Sequence, residues 1–102
     1  MTPADLEQAI QERGLTAARI TPAQIEATVV AEQFHVFPGT TLTVCCLTLR
    51  NDFTVTGEAA CASPANFDAD IGRRLARADA MRKIWPLEGY LLRERLASQP
   101  KG

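Results

Sequence analysis

An α+β fold is what this sequence predicts, and three observations carry the prediction. Two segments near the start repeat one helix-opening grammar, Thr2-Pro3-Ala4-Asp5 and Thr21-Pro22-Ala23-Gln24. A middle stretch from Thr41 to Ala60 changes to alternating β-branched and apolar residues, TLTVCCLTL followed by FTVTGEAA. Beyond it, apolar residues return at helical spacing. At 102 residues and 46% hydrophobic content, the chain matches one ordinary domain, able to bury a core without disulfides or a metal.

Each opening segment sets a cap hydroxyl before a proline at the first helical position, with a side chain three residues on that reaches back to the cap. The first helix carries Leu6, Ala9, Ile10 and Arg13 on one stripe and stops at Gly14, a natural C′ residue. The second carries Ile25, Thr28, Val29 and Glu32 and is expected to run to about Phe34, before Pro38-Gly39 forces a turn. The echo of TPADLEQAI in TPAQIEATV is explained by shared capping chemistry without invoking a duplication. Residues 1–40 are thus read as the helical N-terminal part.

Residues 41–60 read as one antiparallel β-hairpin. A three-residue loop, Arg50-Asn51-Asp52, sets Leu49 opposite Phe53, Leu47 opposite Val55 and Cys45 opposite Gly57 on one apolar face. The other face then holds Val44, Cys46, Thr48, Thr54, Thr56 and Glu58. A two-residue loop would mix leucines with threonines on the same face, because a one-residue slip inverts every side chain. The chosen loop requires a left-handed residue at Asp52. A lone hairpin is marginal in water, so a helix or a second subunit must cover its apolar face, and a homo-oligomer is expected.

Residues 63–97 read as C-terminal helices. Ser63-Pro64 or Asn66 caps a long helix through roughly Ile84, with Phe67, Ile71, Leu75, Ala78, Met81 and Trp85 within one arc as a core stripe. Pro86 lacks an amide donor and disfavours the α conformation at Trp85, which predicts an interruption there. A further helical stretch then carries Leu87, Tyr90, Leu91 and Glu94, and the tail from Ser98 to Gly102 is expected to fray.

Composition narrows the function. The formal net charge is -1, from 11 Lys+Arg against 12 Asp+Glu, so no global positive field collects nucleic acid or an anionic membrane. Basic residues alternate with Asp70, Asp79, Glu88 and Glu94, which counts against DNA as a partner. The acidic, amphipathic start does not resemble a signal peptide, and the apolar runs are too short to span a bilayer. Cys45, Cys46 and Cys61 lack zinc or redox spacing and read as reduced, core-filling thiols of a cytosolic protein. With His35 the single histidine, neither a multi-histidine metal site nor a choice of triads can be assembled, so no cofactor and no catalytic set is expected.

The third helix is where chemistry could sit. Arg74 and Arg82 fall inside or at the edge of the apolar arc, and two fates are open to them. Each guanidinium can reach water or pair with Asp70, Asp79 or Glu58. Alternatively, the two line an anion pocket against aromatic walls. Trp85 and Tyr90 flank Pro86 in KIWPLEGY together with Lys83, a set that could stack a base and meet phosphate. Trp85 is equally suited to anchoring a core or an interface. The candidate ligand-binding residues are therefore Arg74, Arg82, Lys83, Trp85, Tyr90 and Glu58.

The runs RNDFTVTGE, NFD, IGRR and KIWPLEGYLL, with an I-TPAQIE-like helix start before them, resemble the family of small tailed-phage proteins founded on gene product forty-nine of phage N-four and gene sixty-six of phage Sf-six. The family pattern has Gly where this chain has Asp52. The resemblance implies a phage or prophage accessory protein, non-structural for the virion, acting in the bacterial host cytoplasm, and it brings no site residues with it. Two functions are consistent with the residues: a non-enzymatic protein that sequesters a host nucleotide-derived signal and blunts antiphage defence, or an interaction module that inhibits or redirects a host protein.

Overall fold

The computed structural model describes residues 2–14 and 17–100. Helices α1 (Pro3–Glu12) and α2 (Pro22–Thr28) lead into strands β1 (Val29–Val36), β2 (Leu42–Leu49) and β3 (Thr54–Ala60). A short 3-10 turn, Pro64–Asn66, precedes the long helix α3 (Ala69–Ala97). The strands form an antiparallel sheet in the order β1-β2-β3, and α3 lies across the faces of β2 and β3.

Both N-terminal helices open as their sequences require. The Thr2 hydroxyl accepts from the Asp5 amide at 3.1 Å while the Asp5 carboxylate accepts from the Thr2 amide, and Thr21 and Gln24 repeat the exchange. The amide bond to Thr2 and the hydroxyl behind it hold the Asp5 carboxyl below its ordinary range. Helix α1 ends with Gly14 at φ +67°.

The second helix departs from expectation. It stops at Thr28, and residues 29–36 form a strand. Ile25, Thr28, Val29 and Glu32 fit a helical stripe, but Glu32, Phe34 and Val36 also alternate toward one sheet face, and short apolar runs satisfy both periods. Tertiary partners decide between them. Thr28 turns its hydroxyl back to the Ile25 carbonyl at 2.7 Å, and its own carbonyl accepts from the Arg50 amide at 2.9 Å, which closes the helix against the hairpin turn. Strand β1 then takes its ladder from β2, with Glu32 opposite Leu47 and Phe34 opposite Cys45. The hairpin thereby supplies two strands of a three-stranded sheet.

Between β2 and β3 the register is the one the alternation demands: Leu47 opposite Val55, Cys45 opposite Gly57, and a Leu49–Phe53 amide-to-carbonyl bond of 2.8 Å closing the three-residue loop. Asp52 takes φ +69°. Leu47, Leu49 and Val55 are buried, whereas Phe53, at the loop, is exposed. Cys45 is fully buried, and desolvation pushes its thiol above the ordinary range; all three cysteines are free.

The core stripe of α3 also differs from the sequence reading. The buried residues are Ala76, Ala80 and Ile84, spaced by four, while Ile71, Leu75 and Ala78 are exposed. Strand β3 approaches α3 at Gly57, where a Cβ atom would stand 2.2 Å from the Ala76 carbonyl oxygen and 2.2 Å from the Ala80 nitrogen. Only alanines at 76 and 80 and a glycine at 57 permit that approach, so the small residues face the sheet and the bulkier ones are turned outward. Asp68, rather than Ser63 or Asn66, caps α3 by accepting from the Ile71 amide at 3.0 Å. The helix continues through Pro86 without a break. The exposed Pro86 leaves the Arg82 carbonyl without its helical donor, a loss that water can offset on this side, and Glu88 ties the following turn to Arg50 at 3.5 Å. Of the tail expected to fray, Lys101 and Gly102 lie outside the described residues.

One buried polar group is left over. The Thr43 hydroxyl is fully buried against α3 at Gly72 and has no hydrogen-bond partner among the described residues. An unpaired buried hydroxyl costs about 1 to 3 kcal/mol, so Thr43→Val, which keeps the shape, is expected to stabilise the protein by about 1 kcal/mol in urea titration. A loss of stability would mean that this hydroxyl has a bonding partner.

Candidate functional site

Helix α3 between Arg77 and Trp85, the start of α2 and the start of α1 enclose an open cavity of about 540 Å³. Its floor and walls are Ile25, Met81, Trp85, Pro3 and Pro22, with Arg77, Arg82 and Glu26 supplying the charge. The two prolines sit there because each begins a capped helix, so the same local chemistry that opens α1 and α2 delivers rigid, apolar edges to the site. Trp85, half-buried, also borders a smaller hollow of about 270 Å³ against Thr2, Pro3 and Leu6.

Two arginines face this cavity in different electrostatic states. Arg77 is a clamp: its Nε donates to Glu32 at 2.7 Å on β1, and its terminal nitrogens donate to both carboxylate oxygens of Glu26 on α2 at 3.0 and 3.4 Å. Bonds to Glu26 and then Glu32 raise its pKa further above the ordinary arginine value. Its charge is therefore spent on holding three elements together. Arg82 is 71% exposed at the side chain and makes one bond, to Asp79 at 2.9 Å. Asp79 accepts in turn from the Glu58 amide at 3.0 Å, and Arg82 first, then that amide, hold its carboxyl below the ordinary range. A single exposed ion pair is a weak restraint, so Arg82 can turn toward a ligand at small cost.

The six sequence candidates do not converge. Arg82 and Trp85 share the cavity. Arg74 lies eight residues earlier, about 12 Å along the helix axis, 78% exposed at its side chain and paired with Asp70 at 3.0 Å. Tyr90 borders a separate cavity of about 330 Å³ with Arg50, Phe53, Leu87 and Leu91. Lys83 is half-buried and Glu58 exposed, and neither lines the Trp85 cavity. Arg77, Met81 and Ile25 were not singled out as ligand residues; the i, i+4 series of Gly72, Ala76 and Ala80 is the signal that would have oriented α3 and placed Arg77 beside the N-terminal helices.

Among the cavity residues there is no Ser, Cys or His, and Glu26 is engaged by Arg77. Among the described residues no group of three His, Cys, Asp or Glu side chains could hold a metal ion, and no helix is long and apolar enough to cross a membrane. Residues 20–96 match the phage protein (N4 Gp49/phage Sf6 gene 66) family. The chain belongs to that family. The matched span runs from Ile20, just before the cap of α2, to Leu96, and so takes in α2, the whole sheet and nearly all of α3, while α1 lies outside it. No curated protein and no solved structure matches the chain.

Proposed function

We propose that this phage accessory protein is non-enzymatic and sequesters a flat, negatively charged small molecule of the host, a nucleotide-derived signal, in the Trp85 cavity. The observation that carries the reading is the pairing, on one wall of a cavity of about 540 Å³, of an indole with an arginine whose only bond among the described residues is an exposed ion pair. Cavities of roughly 300 to 1,000 Å³ suit ligands of nucleotide size. The indole supplies a stacking face and Arg82 a charge-assisted contact to phosphate, while the absence of a nucleophile or free acid on the wall favours holding a ligand over converting it. The setting is the bacterial host cytoplasm, and blunting of a defence signal is the biological consequence.

Trp85 is the single tryptophan of the chain, so its fluorescence reports on this cavity and on the adjoining hollow beside Leu6. Titration with cyclic dinucleotides and ADP-ribose derivatives is expected to change that emission and to raise the melting temperature, since a ligand at about 100 times its Kd stabilises the native state by roughly 2.7 kcal/mol. Arg82→Ala is expected to weaken binding about tenfold or more, and Arg74→Ala and Tyr90→Ala to leave it unchanged. If no compound of this class moves either signal, the reading is wrong. A second reading, contact with a host protein, is favoured by the exposed Leu87, Tyr90, Leu91 and Leu96 on the end of α3; it predicts unchanged titrations and loss of the phage phenotype on Tyr90→Ala.

A further inference from the structure

The two edges of the sheet are unequal. Phe37 donates its amide to the Leu42 carbonyl at 3.3 Å, so by antiparallel alternation Gln33 and His35 also direct their backbone groups to β2. The amides and carbonyls of Glu32, Phe34 and Val36 therefore point outward from β1. On the opposite edge the outward amide of Glu58 is already bonded to the Asp79 carboxylate, which also pairs with Arg82. A strand approaching β3 would meet that ion pair, whereas a strand approaching β1 meets free backbone.

Exposed edges are ordinarily protected by lysine, proline or an unpaired charge. From Val29 to Phe37 the sequence VVAEQFHVF contains no Lys, Arg, Asp or Pro, and its one carboxylate, Glu32, is tied to Arg77 at 2.7 Å. The shift in register between Val29 and Ala31 confines the regular edge to residues 31–36. Val30, near the start of β1, and Phe37, just past its end, are both exposed. An antiparallel copy of the same strand would set the Val30 end of one chain beside the Phe37 end of the other, apolar against apolar. Pairing about a twofold axis uses the β1 edge of both chains, and on the β3 edges left outermost the Glu58 amide is already bonded to Asp79, which hinders further growth into a fibre.

We propose that β1 is a self-recognition surface, and that two copies of this protein join their sheets edge to edge into one six-stranded sheet. Static light scattering on the full chain is expected to give twice the chain mass, and hydrogen exchange to show protected amides at Glu32, Phe34 and Val36. Gln33 and His35 are exposed and lie outside the core. With Glu32 of one chain opposite Val36 of the other, the double variant Gln33→Lys/His35→Lys sets lysines directly opposite each other across the axis, and is expected to be monomeric with its far-UV circular dichroism retained. Mixing it with Gln33→Glu/His35→Glu is expected to restore a heterodimer. A monomeric wild type, unprotected amides at those three positions, a lysine variant that still dimerises, or folded variants that fail to co-assemble would each overturn the proposal.

Discussion

Gly57→Ala is expected to lower stability by about 3 kcal/mol or more, seen as a fall of roughly 10 to 25 °C in the thermal unfolding midpoint. The added methyl would stand 2.2 Å from both the Ala76 carbonyl oxygen and the Ala80 nitrogen, which are helix backbone atoms and not flexible side-chain ends. Neither side can give way locally. Helix α3 would have to lift from the sheet, and every contact around Cys45, Leu47 and Ile84 would loosen with it. Against a total stability of about 5 to 15 kcal/mol, that loss brings the protein near the edge of folding. Gly89→Ala is the matched control, because Gly89 also lies on α3 but nothing stands within 4 Å of its added Cβ. There the exchange is expected to stabilise by about 0.5 to 1 kcal/mol through helix propensity. Equal melting temperatures for the two variants would show that α3 stands further from β3 than the structure places it.

Ile84→Ala is expected to cost about 2 to 5 kcal/mol, and Leu75→Ala no more than about 0.5 kcal/mol, both from chemical denaturation. Ile84 is fully buried beneath the sheet and leaves a cavity when truncated, whereas Leu75 is 58% exposed. The comparison separates two orientations of α3. In the arc centred on Phe67, Ile71, Leu75 and Trp85, Leu75 would be the costly position. In the arc of Ala76, Ala80 and Ile84 it is a surface leucine. A large loss at Leu75 with a small one at Ile84 would restore the first orientation.

The residues of the sequence by themselves determined the class of fold, the two capped helix starts, the Asp52 turn and the pairing of Leu47 with Val55 and Cys45 with Gly57, because each depends on groups within a few positions of one another. Alternation along a hairpin has one solution that keeps leucines away from threonines, and a cap needs only its third neighbour. What lay beyond the sequence had longer reach. Whether residues 29–36 continue α2 or form a strand depends on β2 offering a ladder and on Arg77 reaching Glu32, 45 positions away. Which face of α3 is buried depends on how closely its backbone can meet Gly57, a question of space between two segments that hydrophobicity does not encode, since it favours Leu75 and Ile71 over two alanines. Pro86 announced a break that packing on either side of it overrode. The candidate site divides in the same way: Trp85 and Arg82 were legible as an aromatic and a cation one turn apart, but Pro3, Pro22 and Ile25 join them only because α1 and α2 fold back onto α3. Arg74 was grouped with them by helical angle alone, and tertiary structure set it apart because angle says nothing of distance along the axis.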